Sequence, residues 1–366
     1  MEEILNQEAN ALGIKEFLEA ANRYTQEAFP NLNMIELFSN TLNGNIGSIL
    51  EYGKIERIFL SEITTAIELM VSVLIVIIIH SIFKAIIENL GNSTASQIAY
   101  IVQYLIITSV VINSFVSILD ITKQAIGNIV GFMNMLIPLF LTLMLTTGNI
   151  VTMSIVEPVL IFMVSFIGNF INNFLIPLLL ISMTISIVSN ISDKIQIDRI
   201  SKFLKSSIIW FLGIVLTIFT CTLSLEGTLS SSVDGMTSKT AKAAVSNFIP
   251  VVGKIMGDTV ETVIGCGNIL KNSVGIIGVI IIVGIVLIPI IKITLLMIAF
   301  KMTAAVSEVV AESKIVKLID NIADSYKILL AILISVSIMF IIGITIVIRI
   351  TNSSLMYRWK ENSLWY

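Results

Sequence analysis

Residues 274–299 read VGIIGVIIIVGIVLIPIIKITLLMIA, an unbroken apolar run that carries a single charge, at Lys292. A helix needs about 20 apolar residues to cross the hydrocarbon core of a bilayer, which is roughly 30 Å thick. Backbone groups in lipid must form hydrogen bonds within the chain, so only helices and closed barrels span membranes. Barrel strands alternate apolar and polar residues over about 10 residues, and this run does not alternate. The stretch therefore predicts a transmembrane helix.

The composition of the whole chain agrees with this prediction. Of its 366 residues, 56% are hydrophobic and 13% are charged, whereas soluble domains have about 25% charged residues. The net charge of -3 gives no indication of a nucleic-acid partner. We therefore predict an all-α, polytopic helical membrane protein whose surroundings are the lipid bilayer.

Eight helices are predicted to cross the membrane. Residues 150–191 are too long for one span of about 20 residues, so we divide them into two helices at the polar pairs Gly168-Asn169 and Asn172-Asn173. The other predicted helices lie near residues 64–87, 97–119, 128–147, 208–225, 274–299 and 328–350.

Residues 1–62 form an amphipathic N-terminal region, in which Ile14, Phe17, Leu18 and Ala21 recur at helical spacing. Such helices lie on the membrane or pack on the helix bundle. The acidic start differs from the basic and then apolar pattern of a signal peptide. We expect either insertion by the first membrane helix or a signal sequence that has been removed. Residues 63–124 are predicted as paired transmembrane helices and residues 351–366 as a C-terminal tail.

Two amphipathic connections, at residues 193–205 and 301–327, are rich in lysine and arginine. Cytoplasmic loops of membrane proteins carry an excess of these residues. We therefore predict that both connections lie on the cytoplasmic side of the membrane.

The prolines predict an internal repeat. The sequence around Pro138 resembles that around Pro250, and the sequence around Pro177 resembles that around Pro289. The two prolines of each set have the same separation in sequence, and each second proline precedes an amphipathic charged segment and an apolar run. Residues 125–225 are predicted as repeat 1. Residues 226–350 are predicted as repeat 2, with the similarity running over 240–350 in a parallel arrangement. Transporters commonly contain such repeats, with the binding site between them.

Residues 244–273 are predicted to form a Gly-rich re-entrant hairpin that faces the bundle core on the side opposite the amphipathic connections. Pro250 and Gly253 favour turns and close approach of the backbone. Asp258 and Glu261 are three residues apart and would share a helical face, directed toward water, a cavity or a partner. The alternative is an ordinary loop outside the membrane.

Ionisable side chains within apolar helices are costly and indicate function by default. Glu157 and Lys292 have opposite charges and could pair across the repeats, as part of a pathway or as an interhelical contact. For Lys292, as for Glu68 and His80, a position near the membrane surface is the leading interpretation.

The amides of Asn169, Asn172 and Asn173 lie on neighbouring positions of one helix. Asn169 and Asn173 are candidates for a polar lining. Helix–helix hydrogen bonding is the favoured alternative.

The sequence contains no recognisable catalytic, cofactor-binding or metal-binding motif. The two cysteines, Cys221 and Cys266, and the single histidine do not have the ligand spacing of a zinc site. The chain has no phosphate-binding loop of the Walker type and no HExxH pair. We therefore predict that the protein is not an enzyme.

The segment Asn247–Gly265, NFIPVVGKIMGDTVETVIG, and the following GNILKNSVG of Gly267–Gly275 resemble the hallmark region of the stage III sporulation protein AE family. The order of elements is similar to that family along nearly the whole chain. The resemblance implies a permease-like protein of an endospore-forming bacterium, located in the outer forespore membrane on the mother-cell side. It also implies a channel complex, often described as a feeding tube, that joins mother cell and forespore and is required for forespore development. The implied partners are other stage III sporulation A-operon proteins, including a secretion-type ATPase and ring-forming proteins.

Three hypotheses about function follow. The chain is a transport or channel component with a pathway between the repeats, a non-conducting membrane scaffold that anchors a larger complex, or a general secondary transporter. A polar cavity between the repeats would favour transport, whereas an exposed partner surface would favour the scaffold.

Overall fold

The structure is a computed structural model, and it describes residues 9–26, 28–29, 33–42, 52–89, 93–191, 197–248 and 252–362. All regular secondary structure in these residues is helical, which confirms the predicted all-α class. The helices are α1 (Ile14–Thr25), α2 (Met34–Leu42), α3 (Tyr52–Asn89), α4 (Ser93–Thr146), α5 (Ile150–Phe170), a π-helical turn (Ile171–Leu175), α6 (Ile176–Ile191), α7 (Asp198–Phe248), α8 (Val252–Ser307) and α9 (Ser313–Asn362).

Within the described residues, six helical segments are long and apolar enough to cross a membrane, rather than the eight predicted. The segments are Phe59–Phe83, Ile98–Thr146, Ile150–Asn190, Asp198–Gly227, Ile264–Ser307 and Ser313–Arg349. The count falls because the predicted helices 97–119 and 128–147 are joined in α4. The polar residues between them continue the helix instead of forming a loop.

The predicted break within residues 150–191 is wrong for a related reason. Asn172 and Asn173 lie in the π-helical turn that joins α5 to α6 without interrupting the helical path. A π-helical turn accommodates an extra residue by widening the hydrogen-bonded ring, and such turns are frequent at functional sites.

Residues 252–273 form the first part of α8, a continuous helix, so the described part of the segment contains no hairpin turn. Pro250 lies outside the described residues. Pro138 and Pro289 lie inside α4 and α8, and Pro177 is the second residue of α6. These positions leave the parallel repeat as a prediction.

Helix α8 is central to the bundle and contacts α1, α2, α3, α4, α7 and α9. It pairs closely with α9: Gly275 and Gly278 face Ile348 and Ile344, whereas the ring of Phe300 stacks on that of Tyr326 at a centroid distance of 5.3 Å. The residue numbers of the two partners change in opposite directions. Helices α8 and α9 are therefore antiparallel.

The N-terminal helices pack on the bundle, which is one of the two arrangements predicted for them. Helix α1 buries Ile14, Phe17, Leu18 and Ala21, the residues identified by their spacing. The ring of Phe17 lies 6.0 Å from that of Phe132 in α4. The amphipathic pattern thus predicted the buried face correctly.

We predict that Gly168→Ala destabilises the fold, because a Cβ at this position would lie 2.8 Å from Cγ2 of Val130. The side chain of valine is branched at Cβ and cannot easily move away. The free energy of unfolding should fall by about 1–3 kcal/mol, as for other overpacked sites. The measurement is thermal unfolding in detergent. Unfolding is monitored by the reaction of a fluorescent maleimide with the Cys266 thiol, which is buried in the folded protein, in a Cys221→Ser background.

Gly213→Ala is the matched control. Its added methyl group meets nothing within 4 Å, and alanine favours helix by up to about 1 kcal/mol over glycine. Its unfolding temperature should therefore equal or exceed that of the parent protein. Equal unfolding temperatures for both alanine variants would contradict the close packing of α4 against α5.

Candidate functional site

Polar side chains form three groups within the apolar bundle. The first is a charged junction made by Lys205 of α7, Lys301 of α8, and Asp320 and Asp324 of α9. The second is an ion pair between Glu62 and Lys292, and the third is a contact between Asn268 and Lys271.

The charged junction holds three long helices together. Lys301 Nζ lies 2.6 Å from Asp320 Oδ1 and 3.0 Å from Asp324 Oδ1, and these carboxylates are one helical turn apart on α9. Lys205 is 8% exposed, and its Nζ donates a hydrogen bond of 2.7 Å to the carbonyl oxygen of Asn321. The junction lies within the two amphipathic connections that the sequence predicts on the cytoplasmic side.

Neutral hydrogen bonds fasten the same end of the bundle. Ser182 of α6 and Ser201 of α7 each donate to the other's carbonyl oxygen, at 2.9 and 2.8 Å. The hydroxyl of Tyr104 donates to the carbonyl oxygen of Ile187 at 2.5 Å, which ties α4 to the end of α6. The hydroxyls of Ser114 and Tyr326 lie 3.0 Å apart and join α4 to α9. These contacts favour a rigid end of the bundle.

Lys292 forms an ion pair with Glu62 and not with Glu157, so the predicted cross-repeat pair is wrong. Lys292 Nζ lies 3.2 Å from Glu62 Oε1, and the two side chains are 29% and 15% exposed. The pair joins α8 to α3. Glu157 lies half-buried in α5, away from this contact.

The asparagines of the π-helical region do not line the interior of the chain. Asn169 and Asn173 are exposed on the outer face of α5 and the following turn. Asn172 is half-buried, and its buried Oδ1 accepts no hydrogen bond among the described residues. The exposed amides of Asn169 and Asn173 are available to groups outside this chain.

Gly253, Asp258 and Glu261 lie in the N-terminal part of α8, and their side chains are outside the described residues, as is Pro250. Glu68 is exposed on α3 within the candidate span Phe59–Phe83, so its position near the membrane surface stays a prediction, and the side chain of His80 is not among those described.

Lys271 is a buried lysine that sequence reasoning missed. It is fully buried in α8, and its Nζ donates to Asn268 Oδ1 at 3.1 Å. The neighbouring Gly267 lies against Thr146 and Thr147, at the end of α4, where a Cβ would come within 2.9 Å of Thr146 Oγ1. Its sequence signal is the lysine in GNILKNSVG, which belongs to the segment predicted as a hairpin. A polar core at this end of the bundle therefore packs against the α4–α5 turn.

The chemistry of these groups is that of paired and hydrogen-bonded charges. Among the residues that the structure describes, no three His, Cys, Asp or Glu side chains are grouped as metal ligands would be. The expectation that the chain binds no metal or cofactor and is not an enzyme remains a prediction.

Two comparisons identify relatives of the chain. The sequence model of the family described as stage III sporulation protein AE matches residues 32–351. A protein of Bacillus subtilis (strain 168) named "Stage III sporulation protein AE" is 32% identical over 286 residues, which cover 77% of this chain and 72% of that protein. No solved structure matches the chain.

We predict that Lys292→Met destabilises the bundle, because it leaves the mostly buried carboxylate of Glu62 without its counter-charge. Removing one partner of a buried ion pair costs about 3–5 kcal/mol. The same thermal assay of Cys266 reactivity measures the effect. The double variant Glu62→Gln/Lys292→Met should recover most of the loss, because neither residue then carries a charge.

Lys202→Met serves as the control, since Lys202 pairs with Asp198 at 2.7 Å on the surface of α7, with 69% and 39% of the two side chains exposed. Exposed pairs contribute at most about 1 kcal/mol. A Lys292→Met variant as stable as Lys202→Met would contradict the importance of the buried pair.

Proposed function

Since the chain belongs to the stage III sporulation protein AE family, we propose that it is a permease-like membrane component of a channel complex joining mother cell and forespore. The family match across residues 32–351 carries this proposal. Among the described residues, six helical segments that are long and apolar enough to cross a membrane support a membrane location.

The polar groups of the bundle support a role beyond anchoring. Charged side chains within membrane helices cost about 2.5–3.5 kcal/mol each on insertion scales and commonly mark pathways or relays. Here α8 carries Lys292 within its apolar run, in an ion pair with Glu62 of α3. A bundle used only as an anchor would be as stable or more stable with apolar residues in place of this pair.

We propose the outer forespore membrane as the location, with the charged junction on the mother-cell side, because its lysines follow the positive-inside pattern. The proposed partners are other stage III sporulation A-operon proteins, including a secretion-type ATPase and ring-forming proteins. A parallel repeat is a further part of the proposal. The repeat is favoured by the common order of a proline-bearing helix, a short connection and a lysine-bearing helix in α6–α7 and α8–α9.

A non-conducting scaffold is the second candidate function. The interlocked hydrogen bonds between α4, α6, α7 and α9 favour it, because a rigid bundle suits an anchor. A general secondary transporter is a third. Exchange of a small fluorescent solute between forespore and mother cell distinguishes the first from the second. If the chain is only a scaffold, replacing the candidate pathway residues Asp258 and Glu261 with alanine should leave solute exchange unchanged in the assembled complex.

We predict that Asp258→Ala/Glu261→Ala reduces heat-resistant spores by at least about 10-fold while the protein remains in the membrane at normal amounts. A tenfold change corresponds to about 1.4 kcal/mol in a controlling equilibrium. Asp258 and Glu261 belong to the part of α8 that precedes the candidate span beginning at Ile264, and we expect charged side chains outside the span to contact water or a partner.

Glu308→Ala, which removes an exposed carboxylate between α8 and α9, is the control and should sporulate normally. A strain without the protein provides the lower limit of spore formation. Normal spore counts from the double variant would argue against a pathway or docking site in this segment, and normal counts without the protein would contradict its role in sporulation.

A further inference from the structure

Helices α1 and α2 have a charged outer face. Their inner face is apolar and buried, with Ile14, Phe17 and Leu18 in α1 and Leu37 and Phe38 in α2. The exposed charged residues on their outer side are Lys15, Glu16, Glu19, Arg23 and Glu36. An ordinary soluble protein would present such a face to water. Its position in this bundle is what requires explanation.

The contacts of α1 and of the residues that follow it place α1 halfway along the bundle, and α2 packs against both α1 and α8. The hydroxyl of Tyr24 lies 3.2 Å from the position of a Cβ on Gly131 of α4. Thr25 and Phe29 face Gly284 of α8, whose Cβ would lie 2.9 and 3.2 Å from them.

Gly284 is close to the middle of the candidate span Ile264–Ser307. At 1.5 Å per residue, it lies about 30 Å from one end of that span and about 35 Å from the other. Gly168 gives the same result for Ile150–Asn190: it is about 27 Å from one end and about 33 Å from the other. Gly168 contacts Val130, the neighbour of Gly131, so it lies at the height of Tyr24 on the other side of α4.

A hydrocarbon core of about 30 Å must lie somewhere within spans of about 60 Å. Wherever the hydrocarbon core lies along these spans, it includes the midpoint of each span or ends close to that midpoint. The charged face of α1 and α2 is therefore at the middle of the membrane or at its boundary. If the charged face is at the middle of the membrane, lipid cannot be its neighbour, because charged side chains in the hydrocarbon core are strongly disfavoured.

We propose that the outer face of α1 and α2 borders a water-filled passage near the middle of the membrane. Because this face is exposed in the single chain, the opposite wall of the passage comes from outside the chain. The role of this passage in transport rests on the proposed function. The passage would then be the surface along which a polar solute moves. Its geometry rests on the contacts of Tyr24, Thr25 and Phe29.

The mixture of acidic and basic residues on this face indicates which kind of solute the passage would suit. The face carries two basic and three acidic residues, and Arg23 is held by a hydrogen bond of 3.0 Å from Nε to the carbonyl oxygen of Ala20. A wall of mixed sign does not select strongly for anions or cations. It suits small hydrated solutes of either charge better than a single ion.

Cysteine accessibility tests the proposal in membranes from sporulating cells, where the complete complex is present. In a Cys221→Ser/Cys266→Ser background, single cysteines replace Glu19 or Phe166. Each variant is treated with a charged methanethiosulfonate that does not enter lipid, and total thiol is counted after solubilisation. Thiols react as thiolates, which form in water and not in hydrocarbon. Glu19→Cys should react at least about 10-fold faster than Phe166→Cys.

Phe166 is the matched control because it is two residues from Gly168, at the same depth as α1, and is 42% exposed on the outer face of α5 beside the exposed rings of Phe162 and Phe174. Leu18→Cys, on the buried face of α1, reports whether the helix stays packed and should not react. The three positions separate depth, exposure and packing.

Each other outcome overturns the proposal. Fast reaction at both Glu19→Cys and Phe166→Cys would mean that this level is the membrane surface and that α1 is an interfacial helix. Slow reaction at both would mean that α1 faces lipid or a tightly packed protein. Fast reaction at Leu18→Cys would mean that α1 is not docked on the bundle.

A separate readout distinguishes this inference from the proposed function. Modified Glu19→Cys should slow the exchange of a small fluorescent solute between forespore and mother cell. If the labelling pattern holds and exchange does not depend on the protein, the passage stands and the transport function fails. If exchange depends on the protein and Glu19→Cys is unreactive, the function stands and this passage fails.

Discussion

Close packing around α8 is the interaction on which the rest of the bundle depends. Lipid gives helices no hydrophobic reason to associate, so membrane helices rely on close contact and small residues at their interfaces. Gly275 and Gly278 let α9 and α4 approach α8 within reach of Ile348 and Phe132, while Gly284 admits the N-terminal segment. A side chain at any of these positions would displace its neighbour. The apolar character of α8 determines where it lies, and its glycines determine what lies against it.

Sequence predicted the helices better than it predicted their ends. Hydropathy measures the cost of placing a side chain in lipid, so it found the apolar runs. A helix continues through polar residues whenever its backbone hydrogen bonds are made, as between the two apolar halves of α4. The polar side chains of Asn172 and Asn173 likewise predict a break, but both residues lie in a π-helical turn that continues the helix. The buried face of α1 is predictable because the helical spacing of its apolar residues alone defines that face.

The polar contacts were predicted less well, because each depends on which helices meet. Lys292 could be identified as an unusual charge in an apolar run, but its partner depended on α3 lying beside α8. Lys271 was overlooked because its segment was expected to turn. The lysines of the two connections were recognised from charge alone, and their joint contact with α9 follows from the antiparallel pairing of α8 and α9.

A bilayer centred on Gly284 accounts for the depth of the charges in α8. Lys301 would then lie about 25 Å from the centre and Lys271 about 20 Å on the other side, both beyond a hydrocarbon half-thickness of about 15 Å. Lys292, at about 12 Å, would lie just inside, where its pairing with Glu62 offsets the cost of burial. Moving the centre by 15 Å toward either end would bring Lys301 or Lys271 into the core and leave the opposite apolar half of α8 in water. The same centre that suits α8 puts the charged face of α1 in the middle of the membrane, where only water or protein can solvate it.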